Sequence, residues 1–108
     1  MPKEETKIVK QIMERLRGEY PSAYLRKVHG SPFQHAGIPD IIGCIEGYFV
    51  GLEVKTDSGH VSKIQKLEGE GIVKSQGIYG VVRDAQEASD IVKVSLIRLE
   101  SKEYPRLT

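Results

Sequence analysis

Asp40, Glu53 and Lys55 are the residues of this sequence whose types and spacing can do chemistry. Asp40 closes the run Gly37-Ile38-Pro39-Asp40 and leads into the apolar stretch Ile41-Ile42-Gly43-Cys44-Ile45. After Glu46-Gly47 comes a second β-rich run, Tyr48 to Lys55. An acidic residue followed by Gly between two such runs is a hairpin signal. With Glu46-Gly47 as a two-residue turn, Ile45 faces Tyr48 and Asp40 faces Glu53. Their Cβ atoms then lie roughly 4.5–5.5 Å apart on one face of the sheet. Lys55, two residues beyond Glu53, points to the same face. Like charges directly opposite each other destabilise a sheet, so this pair calls for a positive partner. A divalent cation suits it: Mg²⁺ takes oxygen ligands at about 2.0–2.1 Å, often one or two carboxylates with waters and substrate phosphate. The backbone carbonyl of Val54 is a further oxygen in reach, and Mn²⁺ can substitute for Mg²⁺. The plainer reading makes Asp40 a strand start and Glu53 and Lys55 a solvated face. Against it, the face shared with the three charged residues also carries Ile42, Cys44 and Phe49, and the other face carries Ile41, Ile45, Val50, Leu52 and Val54. A sheet apolar on both faces is one covered by helices on both sides, where charges are costly unless paired or metal-bound.

Pro39-Asp40 followed by Glu53-Val54-Lys55 resembles the PD-(D/E)xK nuclease signature. Three stretches narrow the resemblance: Gly37 to Ile42, Gly47 to Lys55, and Ser62 with Gln65. Together they resemble the virus-type replication–repair nuclease (VRR-NUC) domain in its small stand-alone phage and prophage form, over roughly Glu5 to Arg83. The resemblance implies a restriction-endonuclease-like core and a Mg²⁺-dependent endonuclease acting on DNA, on branched structures such as Holliday junctions or flaps. It implies Asp40, Glu53, Lys55 and Gln65 as catalytic residues, with Asp40, Glu53, the Val54 carbonyl and Glu5 as metal ligands. It also implies a homodimer, since stand-alone relatives resemble junction resolvases, which work as dimers.

The elements that must position these residues follow in chain order. Lys3 to about Arg17 reads as a helix, with Ile8, Val9, Ile12, Met13 and Leu16 on one stripe, ended by Gly18 and Pro21. Glu5 falls on that stripe. Either it sits in a frayed first turn, where acidic residues suit the helix dipole, or it reaches the metal site. Ala23 to His29 is a strand. Gly30 to Gly37 is a loop by its Gly and Pro content, and its position before Asp40 makes His29 and His35 candidates for a phosphate contact or an extra base. Thr56 to His60 is a turn. Ser62-Lys63-Ile64-Gln65 has the capping-box form and opens a helix running to about Ser75, with Ile64, Leu67 and Ile72 available for burial. Gln65 then either caps the helix or orients water or phosphate opposite Lys55, and Lys63 is a candidate DNA contact. Gly69 and Gly71 weaken this helix by about 1 kcal/mol each relative to Ala and permit close packing or a bend. Gly77 caps it. Ile78 to Val82 is a strand parallel to a hairpin strand, because a helix connects them. Asp84-Ala85-Gln86-Glu87 is a second capping box, opening a final helix to about Glu100 with Ala88, Ile91, Val92, Ser95 and Leu99 on its stripe. Residues 101–108 form a frayed tail.

The order α-β-β-β-α-β-α gives a three-layer α/β fold with a mixed central sheet. At 108 residues the chain suits one nuclease domain, 1–108, with its core over about 3–100. No apolar run approaches the roughly 20 residues of a membrane span. The single cysteine, Cys44, excludes an internal disulfide framework, suits a reducing cytoplasm of a bacterial or phage-infected cell, and is assigned to the core. Nothing points to a small organic cofactor. Net charge is only +1, but setting aside Glu5, Asp40 and Glu53 leaves a clear basic excess, compatible with a DNA partner. Two alternatives stand beside this reading: a restriction-type or mismatch PD-(D/E)xK nuclease, and a non-catalytic DNA-binding module on a nuclease fold. A broken motif would mark the latter, and here Asp40, Glu53 and Lys55 are intact.

Overall fold

The computed structural model describes residues 3–29, 36–56 and 59–101. Seven elements follow in order: α1 (Lys3–Glu19), β1 (Tyr24–Lys27), β2 (Ile41–Ile45), β3 (Tyr48–Val54), α2 (Lys63–Lys74), β4 (Ile78–Val82) and α3 (Ala85–Glu100). The four strands form one sheet in the order β1-β2-β3-β4, with β1·β2 and β2·β3 antiparallel and β3·β4 parallel. The fold is thus a mixed sheet flanked by helices, as expected.

The hairpin turn fixes the register. Glu46 and Gly47 both hold positive φ, 51° and 88°, the combination whose twist matches the strands it joins. Ile45 therefore pairs with Tyr48 and Ile41 with Leu52. This sends Ile41, Ile45, Val50, Leu52 and Val54 to one face, all buried. There they meet Leu25, Ile78 and Val82 of the outer strands, Val9, Ile12 and Leu16 of α1, and Val92, Leu96 and Leu99 of α3. Each such side chain stabilises the fold by about 1.5–3 kcal/mol on burial. A polar atom buried without a partner costs about 1–3 kcal/mol, so this core can carry one on the opposite face.

That opposite face departs from expectation. α2 packs on β3 and β4 and leaves much of the β1–β2 side open. Cys44 is exposed, not core, and Phe49 is 45% exposed. Ile64 and Leu67 are also exposed, at 51% and 58%, because α2 meets the sheet through Gly69, the buried residue of that helix. Alternation identified the faces of β2 and β3 correctly, but it carries no information on how far a helix reaches across them.

The ends of the elements differ too. α1 runs through Gly18 to Glu19. Glu19 is held by Arg15 Nε at 3.1 Å, by the Ser89 hydroxyl at 2.7 and 3.0 Å, and by Lys93 at 3.5 Å. The Ser89 bond is the largest influence lowering the pKa of the Glu19 carboxyl, and the cluster ties the last turn of α1 to α3. At the end of α2 the left-handed residue is Gln76, with φ 67°, rather than Gly77. The Gly77 amide donates to the Ile72 carbonyl at 2.8 Å. At α3 the Asp84 carboxylate accepts from the Glu87 amide at 2.8 Å, but Glu87 returns to the Arg83 amide at 2.9 Å, so the box is not reciprocal. β1 is shorter than the Ala23–His29 strand read from sequence, although Val28 still donates to the Asp40 carbonyl at 2.8 Å. The turn residues Asp57 and Ser58, and the tail from Lys102 onward, lie outside the described residues.

Candidate active site

Asp40 immediately precedes β2, and Glu53 stands near the end of β3. Continuing the ladder one step past Ile41↔Leu52 puts them opposite each other, as the hairpin count requires. Asp40 is held through both its side chain and its backbone. Its Oδ2 accepts from the Val54 amide at 2.8 Å, while its backbone carbonyl accepts from Val28 of the neighbouring chain segment. Glu53 is 3% exposed. Its Oε1 lies 3.9 Å from Lys55 Nζ, and its Oε2 is buried with no hydrogen-bond partner.

The electrostatics follow from this geometry. Burial first, then Asp40, pushes the Glu53 carboxyl up from 4.5 to about 8, Lys55 pulls it the other way, and the charge of Glu5 adds to the rise. Without a cation, then, the protein resolves the clash of two carboxylates by keeping a proton on Glu53 near neutral pH. A divalent ion can take that proton's place. Glu53 Oε2 is a metal-binding oxygen without a partner, and the Asp40 carboxylate acts on it at close range, so the residues fit an oxygen-seeking cation. Among the described residues no three Asp, Glu, His or Cys side chains form a ready ligand group. What the structure brings together is a carboxylate pair, with Glu5 of α1 near enough for its charge to register on Glu53.

Lys55 is the cation of the site, with its side chain 19% exposed. Gln65, in the first turn of α2, realises its capping role: its Oε1 accepts from the Ser62 amide at 2.9 Å and its amide donates to the Ser62 hydroxyl at 3.1 Å. Its side-chain NH₂ is the group that can face water or phosphate. Lys63 is exposed at the start of α2, and His29 is exposed one residue after Val28. His35 lies outside the described residues.

Tyr79 was not legible from spacing as part of this site. It projects from β4 on the α2 side, opposite Gly51. Burial, then Glu53 and Asp40, pushes its phenol above the ordinary value, so it lies within the field of the carboxylate pair. A sequence signal exists in retrospect: a glycine inside a helix, Gly69, followed by an aromatic residue on the next strand.

No family model matches the chain, and no curated protein matches it. Among solved structures it is similar to a "VRR_NUC domain", with a TM-score of 0.66 and 20% identity over 85% of this chain and 97% of the other. The chain therefore has the fold of a VRR-NUC domain.

Proposed function

We propose that this protein is a Mg²⁺-dependent endonuclease that hydrolyses phosphodiester bonds in DNA, with branched DNA such as a four-way junction or flap as its substrate. The observation that carries the reading is the buried, unpartnered Glu53 oxygen beside Asp40 and Lys55, on a VRR-NUC fold. Asp40, Glu53 and the Val54 carbonyl hold the ion, with Glu5 as a further carboxylate. When bound, the ion lowers the pKa of a water and offsets charge on the phosphate. Lys55 orients the attacking water and faces the charge that builds on the phosphate oxygens, a role in which an ammonium in a dry site is worth more than in bulk water. The Gln65 amide assists in positioning, and Lys63 and His29 contact the DNA backbone.

A homodimer presents two such sites to two strands, which suits junction cleavage. Exposed apolar residues support an association surface, on the open sheet face at Tyr24 and Phe49 and on α3 at Val94 and Ile97. No helix among the described residues is long and apolar enough to cross a membrane, and a cytoplasmic location fits the free Cys44 thiol.

Calorimetry with Mn²⁺ tests the metal site. The wild type should bind and release protons below about pH 8 as the ion displaces the Glu53 proton, and Asp40→Asn should bind at least about tenfold more weakly. Equal affinity in the two proteins would remove Asp40 from the ligand set.

A further inference from the structure

The packing of α2 on the sheet singles out one side chain next to the site that the mechanism above does not use. Gly69 is the buried residue of α2, and its missing side chain makes room for the Tyr79 ring. A Cβ at Gly69 would stand 2.6 Å from Tyr79 Cζ and Cδ2, well inside contact distance. The ring thus lies against the helix backbone, and its hydroxyl donates to the Gln65 carbonyl at 3.4 Å. In an α-helix that carbonyl also accepts from the amide four residues on, which is Gly69. One aromatic residue therefore grips the first two turns of α2 at two points four residues apart. Lys63 and Gln65, the residues of the first turn with proposed roles, are carried by the same grip.

The direction of the hydroxyl matters as well. Tyr79 is close enough to Glu53 and Asp40 for their charges to raise its pKa, yet its proton goes to the Gln65 carbonyl and Glu53 Oε2 keeps no partner. A phenol donating to Glu53 would compete with a cation for that oxygen. Held on α2, it does not.

We propose that Tyr79, seated on Gly69, is a positioning residue that sets the first turn of α2 over the Asp40–Glu53–Lys55 cluster and keeps its own hydroxyl off the carboxylates. The proposal rests on the nuclease reading for its functional half and on packing alone for its structural half.

Tyr79→Phe tests it, because the ring keeps its seat and only the hydroxyl is lost. Three measurements are made side by side on wild type and variant. Cleavage of junction or flap DNA should show kcat lower by about five- to tenfold, the loss of roughly one hydrogen bond's worth of positioning, with KM unchanged. Mn²⁺ affinity should be unchanged, since no ligand is altered. Amide exchange should quicken at Lys66 to Gly69 and stay constant in β2 and β3. Gly69→Ala, which displaces the ring, should lower kcat similarly and show no further loss when combined with Tyr79→Phe. Wild-type kcat in Tyr79→Phe, or losses that simply add, would overturn the positioning role. A wild type that cuts no DNA defeats the nuclease reading and the functional half with it. Exchange then still decides the grip, and unchanged exchange at Lys66 to Gly69 overturns that too.

Discussion

Glu53 carries the most perturbed group of the site, because its buried carboxyl stands against Asp40 and calls for either a proton or a cation. Its carboxyl is raised from 4.5 to about 8 by burial and Asp40, and that shift is also a statement about stability. A group whose folded pKa lies above its unfolded value contributes its full stability below the unfolded pKa. That contribution is lost as pH rises through the folded value. Metal-free protein should therefore lose thermal stability between about pH 5 and about pH 8. Glu53→Gln, which keeps the shape and cannot ionise, should flatten that part of the profile. A Glu53→Gln profile as steep as that of the wild type would assign the pH dependence elsewhere. The opposition of Asp40 and Glu53 was legible in the sequence, since a two-residue Glu46-Gly47 turn fixes it by counting. The unpartnered state of Oε2 and the contribution of Tyr79 were not. The placement of Tyr79 depends on how α2 meets β4, of which the sequence offers only the helix glycine Gly69 followed by an aromatic residue on the next strand.

At the scale of elements, the sheet places the site and two glycines decide how closely its parts approach. Besides Gly69, Gly43 in β2 pairs with Leu25 of β1, and a Cβ there would run into the Tyr24 carbonyl oxygen. Backbone cannot yield as a flexible side chain can, so Gly43→Ala should push β1 off β2. We expect a loss of about 2–4 kcal/mol in chemical denaturation, at the upper end of single-residue effects, and loss of the Val28–Asp40 bond that steadies the site. A variant of wild-type stability would show that β1 can shift without cost. The strands and helices themselves were legible, because the alternation in β2 and β3 and the stripes of α1 and α3 gave each its buried face. The sequence misplaced Cys44, Ile64 and Leu67. Apolar character identifies a surface that can be covered, whereas coverage depends on where α2 docks, and Gly69 with Tyr79 draws it toward β4. The end of α1 was misplaced for a related reason: Glu19 is fixed by Ser89 and Lys93, seventy or more positions away in sequence, which overrides the local stop signal of Gly18.

At the scale of the whole molecule, one face of the sheet is closed by α1 and α3 and supplies the stability, and the other is half open and carries the proposed site. This division explains how a chain of 108 residues holds a buried unpartnered carboxylate oxygen. It also explains why apolar side chains stand exposed next to charged ones on the α2 side. The central claim is that the Asp40–Glu53–Lys55 cluster cuts DNA with the help of a divalent ion. It is tested most directly by incubating labelled linear duplex, flap and four-way junction DNA with Mg²⁺ or with EDTA, using wild type and Lys55→Ala in parallel. The expected result is cleavage of a branched substrate by the wild type in Mg²⁺ alone, and a loss of about a hundredfold or more in Lys55→Ala with its fold and DNA binding intact. Cleavage that persists in EDTA, or that survives unchanged in Lys55→Ala, would contradict it.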